Sequence, residues 1–486
     1  MSELNIPESW AESSIESVSI KVKQQKPTQD FNYIDIDAVD NSKNLITNPK
    51  KISADKAPSR ARKPVKSGDV IFSTVRPYLK NIALVEGIEN AIASTGFCVI
   101  KPVEMSSSYV FNYLRSPVFM DKIIPLQKGA SYPAVSDGVV FEQLIPIPPK
   151  EEQDRIVQKI ESSFEKINKT EQNLNHVEIL LSKYRESLLA KAFRGELVEQ
   201  VESDEPASAL LDKIRAERES NQKGKKKKQE FAPITDEEKP FDIPESWEWV
   251  KLGDLLKKIT DGTHHSPKNI EEGDFKYISA KNVKDWGLRL DNVTYVSSKV
   301  HDEIYSRCDP KRGDVLLIKD GATTGICCIN TLDEEFSMLS SVALLRTFQF
   351  ATLNEYLLFY LKSPVFQELV SDGMAGAAIK RITLKKINNM IIPLPPIEEQ
   401  KRLVKKLKVL LEINHQSLAS NKSKFMILMR LKESILAKAF QGELVEQITS
   451  EGSGKELLDK ILALNELESS EKKVVKKAST KKRTKK

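Results

Sequence analysis

Cysteine and histidine are scarce in this chain, and no long apolar run interrupts it. The four cysteines, Cys98, Cys308, Cys327 and Cys328, contain no CxxC pair, which fits neither a disulfide framework nor a zinc site and predicts reduced, unliganded thiols. The one histidine cluster, His264-His265 in DGTHHSP, has no third ligand at metal spacing, so no metal is expected. No apolar stretch approaches the ~20 residues that span a bilayer, and MSELNIPESW has no basic region followed by an apolar one. A cytoplasmic chain with no membrane partner is the expectation. Catalytic signatures are missing too: there is no G-x-x-x-x-G-K-[ST] loop, no GxGxxG opening a helix, and no Asn-Pro-Pro-aromatic tetrapeptide of an amino-methyltransferase. The acidic run Asp333-Glu334-Glu335 reads as a solvated turn. A chain of 486 residues with no recognisable catalytic engine favours binding over catalysis.

Uniform basicity is also lacking. Net charge is +6, but the last sixteen residues, EKKVVKKASTKKRTKK, carry +8, leaving −2 on residues 1 to 470. Any nucleic-acid site must therefore be a local patch, and the tail is either a solvated end or a nonspecific phosphate grip. The chain is too long for one core, which usually stops growing near ~250 residues.

What the sequence does have is a duplication. ESLLAKAFRGELVEQ from Glu186 recurs as ESILAKAFQGELVEQ from Glu433, identical at 13 of 15 positions and displaced by 247. PIPPKEEQDRI from Pro146 and PLPPIEEQKRL from Pro393 keep that displacement, as do YLRSPVF from Tyr113 and YLKSPVF from Tyr360. GDVIF at Gly68 answers GDVLL at Gly313 with a displacement of 245, and IPESW at Ile6 answers IPESW at Ile243 with 237. Length therefore varies in the first part of each copy and is locked from PP-x-EEQ to GELVEQ.

Each copy divides physically. Residues 1–148 and 241–395 hold short apolar runs between Gly, Pro, Asp and Asn, mixed with helical stretches, and read as α+β globules. Residues 149–195 and 396–442 read as one long helix each, with helical residues from about 150 to 193 and 397 to 440. Prolines precede each start, Glu151, Glu152, Glu398 and Glu399 occupy the first turn, and Gly195 and Gly442 end them. At ~1.5 Å per residue each is a rod of about 65 Å. Ile160, Ile167, Leu174, Leu181 and Leu188 recur every seven residues in the first; Leu407, Leu411, Leu418, Phe425, Leu428 and Ile435 form the stripe of the second. That spacing predicts coiled-coil packing. Asn414, Asn421, Glu171 and Glu178 interrupt the stripes, either restricting register or marking a solvent edge. Residues 196–240 read as a charged linker, mobile around KGKKKK, and 443–486 as an extension ending in the Lys-rich tail.

IPESW, GDVIFSTVRP with GDVLLIKDGATTG, PP-x-EEQ and AKAF-x-GEL, in order and twice, resemble the specificity subunit of type I restriction-modification systems. The resemblance covers about 1–200 and 241–447. It implies two tandem α+β target-recognition domains, each reading one half of a bipartite duplex DNA sequence. The long helices would pack as an antiparallel coiled coil with pseudo-two-fold symmetry and dock two modification subunits. Those subunits would bring S-adenosylmethionine and methylate adenine; two restriction subunits would add translocation and cleavage with ATP and Mg²⁺. This chain would itself bind no cofactor and be noncatalytic. The alternative is a coiled-coil scaffold whose globules bind proteins, which gives no reason for two divergent turn-rich domains.

Candidate DNA contacts are turn residues able to reach phosphates or base edges. In copy one they are Arg76, Tyr78, Lys80, Ser131 and Tyr132; in copy two, His264, Lys319, Thr323, Thr324, Lys380 and Arg381. Gln153 and Gln400 in PP-x-EEQ are either first-turn helix residues or contacts to modification subunits.

Overall fold

A computed structural model describes residues 6–221, 234–265, 267–268, 270–372 and 381–467. The KGKKKK stretch, Lys380 and the Lys-rich tail lie outside these residues. Two compact units emerge, and their boundaries do not follow the repeat: one joins residues 1–175 to 422–486, the other is the continuous stretch 176–421.

The first unit is built on a four-stranded antiparallel sheet in the order Ser19–Lys21, Phe97–Pro102, Val70–Ser73, Ile82–Leu84, beside a second sheet ordered Lys50–Ile52, Phe31–Ile34, Ala91–Ser94, Ala61–Val65. The second unit has Leu256–Asp261, Val342–Thr347, Val315–Ile318 and Cys327–Ile329 in one sheet and Thr294–Val296, Phe275–Ile278, Phe336–Met338 in another. The quoted motifs explain the local structure. In each GDV turn the glycine takes a positive φ, Gly68 at 92° and Gly313 at 94°, which an L side chain rarely adopts. The following Asp69 and Asp314 carboxylates each accept a backbone N–H, from Lys66 and Lys311, at 2.8 Å. In YLxSPVF the serine ends one helix and starts the next. Ser116 Oγ donates to the Tyr113 carbonyl at 2.6 Å and accepts from Phe119 N; Ser363 does the same with Tyr360 and Phe366. The proline follows at the first helical position, where its missing N–H costs nothing.

The long helices run Lys150–Phe193 and Ile397–Phe440, and each is shared between the units. Within the first unit Glu171 pairs with Lys432 at 2.7 Å and Glu152 accepts from Gln447 at 2.8 Å; within the second, Leu181 O accepts from Asn414 at 2.9 Å and Glu399 from Gln200 at 2.7 Å. Rising numbers on one helix meet falling numbers on the other, so the packing is antiparallel, as expected. Ile160, Ile167, Leu188 and Leu407 are buried; Leu174, Leu181, Leu411, Leu418, Phe425, Leu428 and Ile435 are half-buried. Asn414 and Asn421 are buried, so they lie within the seam, whereas Glu178 is exposed.

Each globule is completed by the end of the other repeat. Phe440 sits edge-on to Tyr109 and Tyr113 at 5.1 and 5.2 Å, and Phe193 to Tyr356 and Tyr360 at 5.4 and 5.2 Å. The glycine after each helix is pressed against the IPESW proline. A Cβ on Gly195 would come within 2.4 Å of Pro244, and one on Gly442 within 2.2 Å of Pro7. The linker expectation needs correction. Residues Ala207–Asn221 form a helix whose Ala207, Leu210, Leu211 and Ile214 are buried in the core of the second unit. Residues 454–467 are likewise helical, with Ile461 buried in the first unit. LLDKI at Leu210 and Leu457, again 247 apart, carries the repeat beyond GELVEQ; the surrounding charge hid it.

Candidate nucleic-acid interface

The loop leaving the GDV strand meets one particular second loop in both units. In the first unit Val75 bridges Ala134, Thr74 N donates to Gly96 O, and Val135 N donates to Thr74 O, both at 2.9 Å. In the second, Asp320 bridges Arg381, Lys319 N donates to Ser341 O at 2.9 Å, and Ile382 N to Lys319 O at 2.8 Å. The backbone frame is shared and the side chains on it differ.

On the first frame Arg76 has φ 48°. Its N–H donates to Pro133 O at 2.7 Å, its Nη2 to Ser131 O at 3.3 Å, and its guanidinium lies 5.0 Å from the ring centroid of Tyr132. Arg76, Ser131 and Tyr132 thus come together, with Tyr132 72% exposed and Tyr78 46% exposed on the adjoining turn. Arg76 Nε is buried without a hydrogen-bond partner. Lys80 points elsewhere, 3.6 Å from Glu433 on the second long helix.

On the second frame the charges interlock. Asp261, buried, receives Lys319 Nζ at 3.3 Å, Arg307 Nη2 at 3.1 Å and His264 Nε2 at 3.3 Å. Asp320 accepts from Lys319 Nζ at 3.0 Å and forms an ion pair with Arg381, whose Nε lies 3.0 Å away. Lys319 is 1% exposed, which corrects its place among surface contacts: its ammonium holds two carboxylates and the loop rather than facing outward. Arg307, Arg381 and His264 remain half-exposed at the rim. Thr323 is exposed, while Thr324 Oγ1 donates to Gly321 O at 2.8 Å. Asp261 was visible in DGTHHSP without its role; Arg307, beyond the helix Ser298–Tyr305, carries no motif at all.

The constant motifs converge on buried carboxylates at the helix starts. Glu152 accepts from Trp10 Nε1 at 3.0 Å and Gln447 Nε2 at 2.8 Å; Glu399 accepts from Trp247 Nε1 at 2.9 Å and Gln200 Nε2 at 2.7 Å. Burial pushes both carboxyls above their ordinary range, against those hydrogen bonds. Gln153 and Gln400 are fully buried. Gln153 accepts from Ser106 N at 2.9 Å and donates to Pro148 O at 3.0 Å; Gln400 accepts from Leu353 N at 3.0 Å and donates to Ala351 O at 2.9 Å and Pro395 O at 3.0 Å. These glutamines fasten each long helix to its own globule. Among the described residues no His, Cys, Asp or Glu group could hold a metal, and no helix is long and apolar enough to cross a membrane. All four thiols are free and buried, and burial pushes Cys308, Cys327 and Cys328 up to about 12.

The family described as Type I restriction modification DNA specificity domain matches residues 7–178 and 244–421, one match per repeat. The chain belongs to this family. Specificity subunits are the noncatalytic components of type I systems, acting with DNA and with other subunits. The chain is similar to the EcoBI specificity subunit of Escherichia coli, 24% identical over 386 residues covering 77% of this chain and 76% of that one. It is also similar to the EcoAI specificity subunit of the same organism, 24% identical over 415 residues covering 74% and 69%. Among solved structures, the HsdS subunit from Thermoanaerobacter tengcongensis is 29% identical with a TM-score of 0.56, covering 90% of this chain and 98% of that one. A chain from a study of complex assembly and conformational transition of the type I R-M system is 29% identical with a TM-score of 0.68, covering 91% and 100%.

Proposed function

We propose that this specificity subunit reads an asymmetric, bipartite duplex DNA target, one globule per half-site, and presents it to adenine-methylating modification subunits. The observation that carries the reading is the paired loop frame: the same backbone bridge and hydrogen bonds occur in both units, dressed with Arg76 and Tyr132 in one and with the Asp261–Asp320 charge lattice in the other. A duplicated reader with divergent contact residues calls for two unlike half-sites. Arg76, Tyr132, His264, Arg307, Thr323 and Arg381 are the side chains we assign to DNA, the arginines suited to phosphate or to guanine.

The long helices serve as spacer and platform. Each unit exposes apolar residues at the same repeat positions of its helices: Ile179, Leu180 and Tyr184 in one, Met426, Ile427 and Leu431 in the other, 247 apart. Two equivalent apolar patches fit two modification subunits. Those subunits supply S-adenosylmethionine chemistry, and restriction subunits supply ATP- and Mg²⁺-dependent steps; this chain contributes binding alone. Co-expression with the modification subunit and genome-wide mapping of methylated adenine tests the reading. Two unlike half-sites separated by a fixed unread spacer are expected; a continuous or palindromic target would overturn it.

A further inference from the structure

The first unit contains a cleft of about 670 Å³ between the helix Ser107–Leu114, the first long helix and Asn44-Leu45 of a hairpin. Arg115 stands in its wall, its guanidinium 5.0 Å from the ring of Phe111 and 5.2 Å from that of Phe164. Among the described residues no carboxylate reaches this guanidinium to form an ion pair. Burial alone acts on it and lowers its pKa to about 10. An aromatic sandwich holds the side chain in place but leaves its five N–H donors without an anion.

The second copy shows what such a position takes. Arg115 corresponds to Lys362, 247 residues on, within YLxSPVF. Lys362 Nζ is 3.0 Å from Asp285, which Arg185 of the first long helix also approaches at 3.2 Å. Although burial pulls the Asp285 carboxyl up, these two cations hold it below its usual range. Asp285 and Trp286 form the turn between Val283–Lys284 and Gly287–Leu288, packed on Cys327–Ile329. The first unit's hairpin, Val39–Asp40 with Leu45–Ile46, packs on the corresponding strand Ile82–Leu84. Its one acid, Asp40, bonds to Ser42 instead. The second copy fills the position from within, and the first leaves it open.

We propose that the cleft at Arg115 docks a turn of the modification subunit that presents an aspartate or glutamate to Arg115, the ion pair Asp285 makes inside the other copy. This rests on the reading above that modification subunits bind the long helices. Glu86, Glu161 and Glu165 in the lining outnumber Arg115 and Lys169 there, which disfavours a phosphate backbone and suits a basic residue beside the incoming acid, as Lys284 stands beside Asp285.

The test titrates the modification subunit into the full-length chain and follows stoichiometry and affinity by sedimentation and native mass spectrometry. Wild type should bind two copies. Arg115→Met should bind one as before and the second at least tenfold more weakly. Leu45→Glu, at a 53% exposed hairpin position lining the cleft, should give the same loss with no drop in thermal midpoint, so misfolding cannot account for it. Lys362→Met should still bind two. Unchanged binding of both copies by Arg115→Met and Leu45→Glu, or a loss confined to DNA affinity, would overturn the docking site. A wild-type chain that binds no modification subunit would instead overturn the reading on which it rests.

Discussion

Two glutamates at the same position of the two copies hold their partners differently. Trp10 and Gln447 both donate to Oε1 of Glu152, whereas Trp247 and Gln200 use different oxygens of Glu399. Glu152→Gln can keep both bonds on its one remaining oxygen and should cost less than about 1 kcal/mol. Glu399→Gln turns an NH₂ toward a donor and should cost about 1–3 kcal/mol, measured by urea unfolding at neutral pH. Because burial raises both folded-state values above 4.5, the wild-type carboxyls bind protons more tightly folded than unfolded. Wild type should therefore gain stability relative to either glutamine variant as pH falls toward 4.5, and lose it as pH rises through the folded values. The opposite slope would reject the burial argument. Lys319 and Arg381 make a second contrast on one loop frame. Lys319→Met strips Asp261 and Asp320 of a buried cation and should destabilise by about 3–5 kcal/mol. Arg381→Ala, half-exposed, should leave the thermal midpoint nearly unchanged. In the assembled complex it should weaken DNA binding and lower the slope of log affinity against log salt by about 1.

At the scale of elements, the seam of the long helices is specified by polar groups as well as apolar ones. Asn414 is 3% exposed and donates to the carbonyl of Leu181, which its own helix already satisfies. Asn414→Ile therefore strands no acceptor and restores the residue type that copy one has at Ile167. It should raise the unfolding midpoint while relaxing register; a lower midpoint would mean that the hydrogen bond outweighs the buried apolar area. The helix over 454–467 belongs to the first unit's core through Ile461. Truncation after residue 448 should destabilise that unit by at least the roughly 1.5–3 kcal/mol of one buried isoleucine. Hydrogen exchange should report the loss in residues 1–175 and spare 176–421.

For the whole molecule, the division between constant joints and variable readers sets what can be exchanged. IPESW, PP-x-EEQ and GELVEQ meet in a single cluster in each unit, so a foreign globule that keeps these motifs should graft onto the helices. Replacing residues 1–148 by another recognition domain should change one half-site and leave the other, as read by methylation mapping; a change in both would contradict one reader per half-site. Removing seven residues from each long helix, about 10 Å at ~1.5 Å per residue, should shorten the tolerated spacer by about three base pairs at ~3.4 Å each.

Sequence alone determined the duplication, the α+β globules and the long helices, because glycine, proline and capping residues act locally and the 247-residue period survives any packing. It also made the noncatalytic reading available, since nucleotide- and metal-binding motifs are short and none is present. Tertiary structure decided which repeat's tail completes which globule, because Phe440 and Phe193 meet tyrosines more than 160 residues distant in the chain, in the other repeat. It decided as well that Gln153 and Gln400 face inward and that Lys319 is buried between Asp261 and Asp320. In a turn of mixed charge, composition is the same whether a lysine points to solvent or to two carboxylates. Only the fold brings those carboxylates within reach.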